Sequence, residues 1–117
     1  MSFEKALKVF SADGRIYQIE YAFKAINAFG FTSIAIKGKD SVVVITQKKI
    51  PDKLIIPSSV TSIYNITDTH GAIVVGNPQD SRTLITWMRN QASEFKFKFG
   101  YEIPVAILSD RLAGFQQ

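Results

Sequence analysis

Apolar residues recur along the chain with two different periods, and each change of period marks an element. From Ile16 onward the apolar positions are Ile19, Phe23 and Ile26, the three-to-four-residue spacing of one helix face. Asp13 is placed to cap that helix, Gly14 and Arg15 to open its first turn, and Gly30 to close it. A helix is therefore predicted over about Arg15 to Phe29. A second row, Tyr17, Tyr21, Ala25 and Ala28, lies on the adjacent face. An apolar surface that wide suits a helix wedged between two neighbours.

The period then shortens to two. Thr32 to Lys37 alternates in part, and Ser41 to Gln47 holds the β-branched run Val42, Val43, Val44, Ile45 and Thr46. Gly38, Lys39 and Asp40 supply a hairpin turn between them. Gln47 to Lys53 interrupts the pattern, because Pro51 has no amide hydrogen to give to a sheet. Thr61 to Thr67 and Gly71 to Val75 form a second strand pair across Asp68, Thr69 and His70. Four short strands in two hairpins predict an antiparallel sheet.

Helical spacing returns at Asn77, a capping residue followed by Pro78 at the first helical position and Asp80 in the first turn. Ile85, Met88, Ala92 and Phe95 are the predicted buried face. A third helix starts near Pro104, with Val105, Leu108, Leu112 and Phe115 in register, and it is still running at Gln117. That ending is read as a domain cut in mid-helix. The elements together make one small α+β domain.

Composition narrows the class. With 46% hydrophobic and 21% charged residues the chain belongs with folded domains and not with disordered ones. No apolar run approaches the roughly 20 residues of a membrane helix, and Met1 to Phe10 lacks the apolar stretch of a secretory signal. The absence of cysteine removes disulfides, thiolate zinc sites and a cysteine nucleophile together. The expectation is a soluble, intracellular chain. Its net charge of +4 gathers in the first half, at Lys37, Lys39, Lys48, Lys49 and Lys53. Solvated faces carry such clusters more often than nucleic-acid surfaces do.

Few segments offer chemistry. Glu94 to Tyr101 alternates phenylalanine with lysine, which reads either as a strand that stacks bases and holds phosphates or as the end of the helix opened at Asn77, closing at Gly100. The helix is the preferred reading; a basic nucleic-acid-binding module working through Lys96 and Lys98 is the alternative. His70, the single histidine, sits beside Asp68 and is read as a surface loop residue. One histidine and no carboxylate cluster leave no expected metal site. The scattered glycines Gly30, Gly38, Gly71 and Gly76 form no phosphate loop, so no cofactor is expected. Removal of Met1 exposes Ser2, formally an N-terminal nucleophile, but a charged segment follows it. The residues present no catalytic constellation.

The run Phe10-Ser11-Ala12-Asp13-Gly14-Arg15-Ile16-Tyr17-Gln18-Ile19-Glu20-Tyr21-Ala22 closely resembles the amino-terminal signature of proteasome α-type subunits, Phe-Ser-Pro-Asp/Glu-Gly-Arg-Leu-Tyr-Gln-Val-Glu-Tyr-Ala. Phe23 to Asn27, Gln47 to Leu54 and Gly100 to Val105 look most like the alpha type-6 (iota) class. The resemblance runs from Phe3 to Gln117 and accounts for about the first half of a family member. It implies the N-terminal-nucleophile (Ntn) hydrolase-like αββα four-layer sandwich, first half only. Residues 1–14 would be a gating segment and residues 15–117 the amino-terminal half of the sandwich. Half a sandwich leaves sheet edges and an apolar face uncovered, so self-association of the isolated chain is expected.

The resemblance also implies a role. Family α subunits are not proteolytic. Seven form each outer ring of the core particle, dock on the β ring and gate substrate passage in ubiquitin-dependent protein degradation, in cytoplasm and nucleus. The implied gate residues are Phe3, Glu4, Lys5, Ala12 and Tyr21. Lys5 lacks the planar fork of the family's arginine, and Ala12 stands where the family has proline. The implied activator pocket contains Gly30 and Ser62, the latter at a position where a lysine often neutralises the activator's terminal carboxylate; weak binding of activator tails is expected. Tyr17, Glu20, Tyr21, Lys48, Lys49 and Lys53 would face neighbouring subunits in the ring. Implied partners are other α subunits, β-ring subunits and activator tails, with neither nucleic acid nor membrane among them.

Overall fold

A computed structural model describes Phe10 and residues 13–116. The elements are α1 (Tyr17–Asn27), β1 (Ser33–Lys37), β2 (Val42–Thr46), a 3-10 turn (Pro57–Ser59), β3 (Ile63–Asn65), β4 (Gly71–Ile73), α2 (Pro78–Phe99) and α3 (Val105–Gln116). Helix, two hairpins and two helices follow in the predicted order.

The first helix is shorter than Arg15 to Phe29. Ile16 precedes it without a side-chain cap. Asp13 instead accepts a hydrogen bond from the Tyr17 hydroxyl at 3.4 Å, and Arg15 is engaged by Glu20. The residues expected to open the helix brace its first turn from outside. At the other end the Ala28 amide donates to the Lys24 carbonyl, and Gly30 takes the left-handed backbone two residues later, at φ +60°.

β1 and β2 pair antiparallel with Ile34 opposite Ile45 and Ile36 opposite Val43. Their loop is closed by the Gly38 amide donating to the Ser41 carbonyl at 2.7 Å, which places Ser41 in the turn and not in the strand. β3 and β4 are shorter than expected, pairing only Ile63–Asn65 with Gly71–Ile73. A threonine hydroxyl accounts for the turn end: Thr67 Oγ1 accepts from the His70 amide, the donor that the next rung, His70 with Ile66, would have used. The two hairpins also remain separate two-stranded sheets, against the single antiparallel sheet expected. Between them lie Pro51, Pro57 and the 3-10 turn, which offer no continuous ladder.

α2 runs for 22 residues, about 33 Å. Asn77 Oδ1 accepts from the Gln79 amide at 2.9 Å, and Gly100 ends the helix at φ +77° with its amide on the Lys96 carbonyl. Glu94 to Phe99 is therefore helical, as preferred. Phe95 is 5% exposed and Phe97 94%. Residues two apart share a strand face but not a helix face, so the aromatics form no single stacking platform.

The core consists of Ile85, Met88, Ala92, Phe95, Ile103 and Leu108, with Tyr64, Ile66, Ala72 and Val74 of the second hairpin packed against it. Ile103, in the connection between α2 and α3, is the most deeply buried at 1% exposure. Trp87 of α2 stacks on Phe115 of α3 with ring centroids 4.5 Å apart. By contrast α1 and the first hairpin bury no residue. Ile34, Ile36, Val43 and Ile45 share one face of that hairpin, and all four are exposed. Among the described residues no helix is long and apolar enough to cross a membrane.

Candidate functional site

Two arrangements of side chains go beyond packing. The first surrounds the start of α1. Tyr17 and Tyr21 lie one turn apart, ring centroids 6.3 Å apart and planes 30° from parallel. The Arg15 guanidinium sits 5.4 Å from the Tyr17 ring centre and forks onto Glu20, Nε to Oε1 at 2.7 Å and Nη2 to Oε2 at 2.9 Å. That two-pronged bond needs a planar guanidinium and a carboxylate. Glu20 raises the Arg15 pKa still further, by hydrogen bond and by charge. Beside this braced strip Ile19, Phe23 and Ile26 stand in water. The combination of fixed polar groups and uncovered apolar ones is that of a contact surface. It pairs no nucleophile with a base.

The second arrangement lies where the β3–β4 turn meets the α2–α3 connection. His70 is not the surface loop residue expected: its side chain is only 11% exposed. Its Nδ1 is 2.8 Å from Thr67 Oγ1 and 2.9 Å from Thr69 Oγ1. Glu102 enters from the α2–α3 connection, accepting from the Thr69 hydroxyl and, at 3.5 Å, from the Thr67 hydroxyl. The other carboxylate oxygen is 3.8 Å from Lys96 Nζ. The Thr69 hydroxyl, followed by the charges of Lys96 and His70, holds the Glu102 carboxyl below the usual carboxylate range, against a partial desolvation that acts the other way. Nothing in the local sequence announces Glu102. It reaches His70 across 32 positions, while Asp68, the near neighbour, makes no bond to the ring among the described residues.

The residues implied by resemblance are dispersed. Tyr17, Glu20 and Tyr21 come together on α1, with Glu20 held inside its own chain by Arg15. Lys48, Lys49 and Lys53 are exposed in the segment after β2, and no ion pair among the described residues includes them. The Gly30 amide donates to the Asn27 carbonyl, whereas the Ser62 carbonyl accepts from the Val74 amide. Each is tied to its own element, and no hydrogen bond joins the two. Of the gate residues Tyr21 is described; Phe3, Glu4, Lys5 and Ala12 lie outside the described residues, as does Ser2.

Comparison with known proteins decides the lineage. The family model for the N-terminal signature of A-type proteasome subunits matches residues 3–25, and the one described as proteasome subunit matches residues 28–117. The chain belongs to the proteasome subunit family. It is 44% identical over 115 residues to the probable proteasome subunit alpha type-1 of Schizosaccharomyces pombe, covering 98% of this chain and 47% of that one. With the proteasome subunit alpha type-1 of Trypanosoma brucei brucei the identity is 43% over 107 residues, covering 92% and 40%. With the proteasome subunit alpha type-6 of Caenorhabditis elegans it is 39% over 115 residues, covering 98% and 47%. The chain thus spans about half the length of these relatives. They include type-1 and type-6 proteins alike, so the likeness is established for the α type and not for the type-6 class. In the proteasome family the observed order of helix, antiparallel strands and two helices is the first half of the Ntn-hydrolase-like sandwich.

Proposed function

We propose that the chain serves as a non-catalytic α-type subunit of the proteasome core particle. The observation that carries this reading is the uncovered apolar surface of α1 and the first hairpin, which begins in the stretch that matches the family's amino-terminal signature. In this reading Tyr17, Glu20 and Tyr21, with Lys48, Lys49 and Lys53, face neighbouring α subunits in a ring of seven, and a β ring lies beneath. Residues 1–14 narrow or open the axial channel through Phe3, Glu4, Lys5 and Ala12 working with Tyr21. The protein works in ubiquitin-dependent protein degradation in cytoplasm and nucleus, and Ser2 takes no part in hydrolysis.

The pocket formed with Gly30 and Ser62 takes activator tails weakly, because a serine hydroxyl offers a hydrogen bond where a lysine would offer a countercharge. Ser62→Lys should strengthen activator binding to the assembled particle; no gain would remove this part of the reading. The role as a whole is tested by tagging the protein in its own cells, purifying it gently and measuring the native mass of what it travels with. A very large particle containing other α and β subunits supports the role. A small species without such partners overturns it.

A further inference from the structure

The groove between the last turns of α2 and the middle of α3 has no part in the function proposed above. It is a cavity of about 330 Å³ lined by Glu94, Phe95, Phe97, Lys98, Phe99 and Arg111. None of the residues given a ring, gate or activator role lies in it. At its floor the Phe95 ring is held by two others, Phe99 at 4.5 Å and, edge-on, Tyr101 at 5.2 Å between centroids. The Arg111 guanidinium lies 5.6 Å from the centre of the Phe95 ring, and its Nη1 donates to Gln91 Oε1 at 3.1 Å.

A guanidinium so fixed has already lost the side-chain freedom that a salt bridge ordinarily costs. It still carries N–H groups beyond the one that Gln91 engages. Arg111 is half-buried, yet no ion pair among the described residues includes it. At the rim Phe97 is almost wholly exposed and Phe99 about half exposed. An arginine partly withdrawn from water beside uncovered aromatic rings is the combination on which protein interfaces concentrate their binding energy. We propose that the α2–α3 groove receives an acidic side chain of a partner protein, its carboxylate forked on Arg111 and a neighbouring apolar residue laid on Phe97 and Phe99.

The charges around the groove select this occupant. Lys98 adds a second cation on the wall and Glu94 one anion, and no ion pair among the described residues includes either. A single carboxylate cancels that excess of one positive charge. A nucleic-acid backbone would instead bring a run of phosphates against Glu94. Lys96 does not contribute, because its ammonium is turned to Glu102 at 3.8 Å.

Replacing Phe97 by photoreactive p-benzoylphenylalanine, in the chain as its own cells make it, tests the groove. After irradiation the cross-linked peptides are identified by mass spectrometry. The expected product joins position 97 to a segment of another protein that carries aspartate or glutamate beside an apolar residue. Arg111→Glu should lower its yield about tenfold or more, the cost of setting like charges face to face. Reversing the partner's acid to arginine should restore the yield, and Lys96→Gln should leave it unchanged. Should Arg111→Glu fail to fold, Arg111→Gln, which keeps a donor for Gln91, removes the charge alone and should still lower the yield severalfold. The absence of any cross-link overturns the proposal. So does a cross-link to nucleic acid, to a second copy of this chain or to another part of the same chain. A yield that is indifferent to Arg111, falls as far in Lys96→Gln, or is not rescued by the reversed acid overturns it as well.

Discussion

At Gly100 the backbone turns left-handed, and a Cβ built there would meet no atom within 4 Å. The cost of a side chain at this position is therefore conformational and not steric. Gly100→Ala should destabilise the fold by about 1–2 kcal/mol, and Gly100→Asn by less, since asparagine tolerates this region better; urea midpoints of the two variants make the comparison. Glu102 answers to pH. The Thr69 hydroxyl heads the causes that lower its pKa, so the folded value lies below the ordinary 4.5. A carboxylate of that kind contributes stability above pH 4.5, and the contribution is lost as pH falls through the lowered value. Thr69→Val should bring the Glu102 pKa back up, followed by its carboxyl carbon resonance, and should start acid unfolding at a higher pH. What is legible at this scale is local chemistry: Asn77, Pro78 and Gly100 bracket α2 because a cap depends on residues within one turn of it. His70 escapes such a reading because its partner Glu102 lies 32 positions away, and Asp13 because the Tyr17 hydroxyl takes its carboxylate in place of the helix amides it was expected to cap.

Among the elements, periodicity identifies Ile85, Met88, Ala92 and Phe95 as the buried face of α2, and all four are buried. It does not find Ile103, which lies in a connection and belongs to no repeat. Its burial comes from the way α3 folds back over α2. Ile103→Ala should cost about 2–5 kcal/mol, the range for an aliphatic side chain removed from a packed interior. Ile36→Asp, on the uncovered face of the first hairpin, should change the stability of the isolated chain by no more than about 0.5 kcal/mol. It should also reduce self-association in sedimentation. Equal destabilisation by both variants would mean that the hairpin is buried after all. The shortened second hairpin shows the limit of strand patterns: Thr67 is a good strand residue whose hydroxyl captured the His70 amide that the next rung required.

For the molecule as a whole, surface area is the telling quantity. The chain exposes 9330 Å², where a compact protein of 13.1 kDa exposes about 6,400 Å². Its radius of gyration, 17.5 Å, exceeds the roughly 13 Å of a compact domain of this length. The surplus, about 3,000 Å², is in keeping with a chain that spans about half the length of its relatives and so holds half of the family's sandwich. On its own the chain should therefore sediment as a self-associated species, and a stable monomer at micromolar concentration would contradict that expectation. The lineage is legible because the signature from Phe10 to Ala22 is long and contiguous, and the family model matches it. The separation of the two hairpins is not, because whether they join into one sheet depends on long-range pairing that no local pattern encodes.

The position of the core also sets an order in time. Its residues lie between Tyr64 and Leu112, whereas α1 and the first hairpin, residues 17–46, contribute nothing to it. A ribosome adds roughly 5–20 residues per second, so the apolar hairpin is made several seconds before the core is complete, and completing the core does not shelter it. The earliest part of the described chain to be synthesised is thus the last to leave water. Throughout that interval Ile34, Ile36, Val43 and Ile45 offer a sticky strand pair to any chaperone or nascent neighbour within reach.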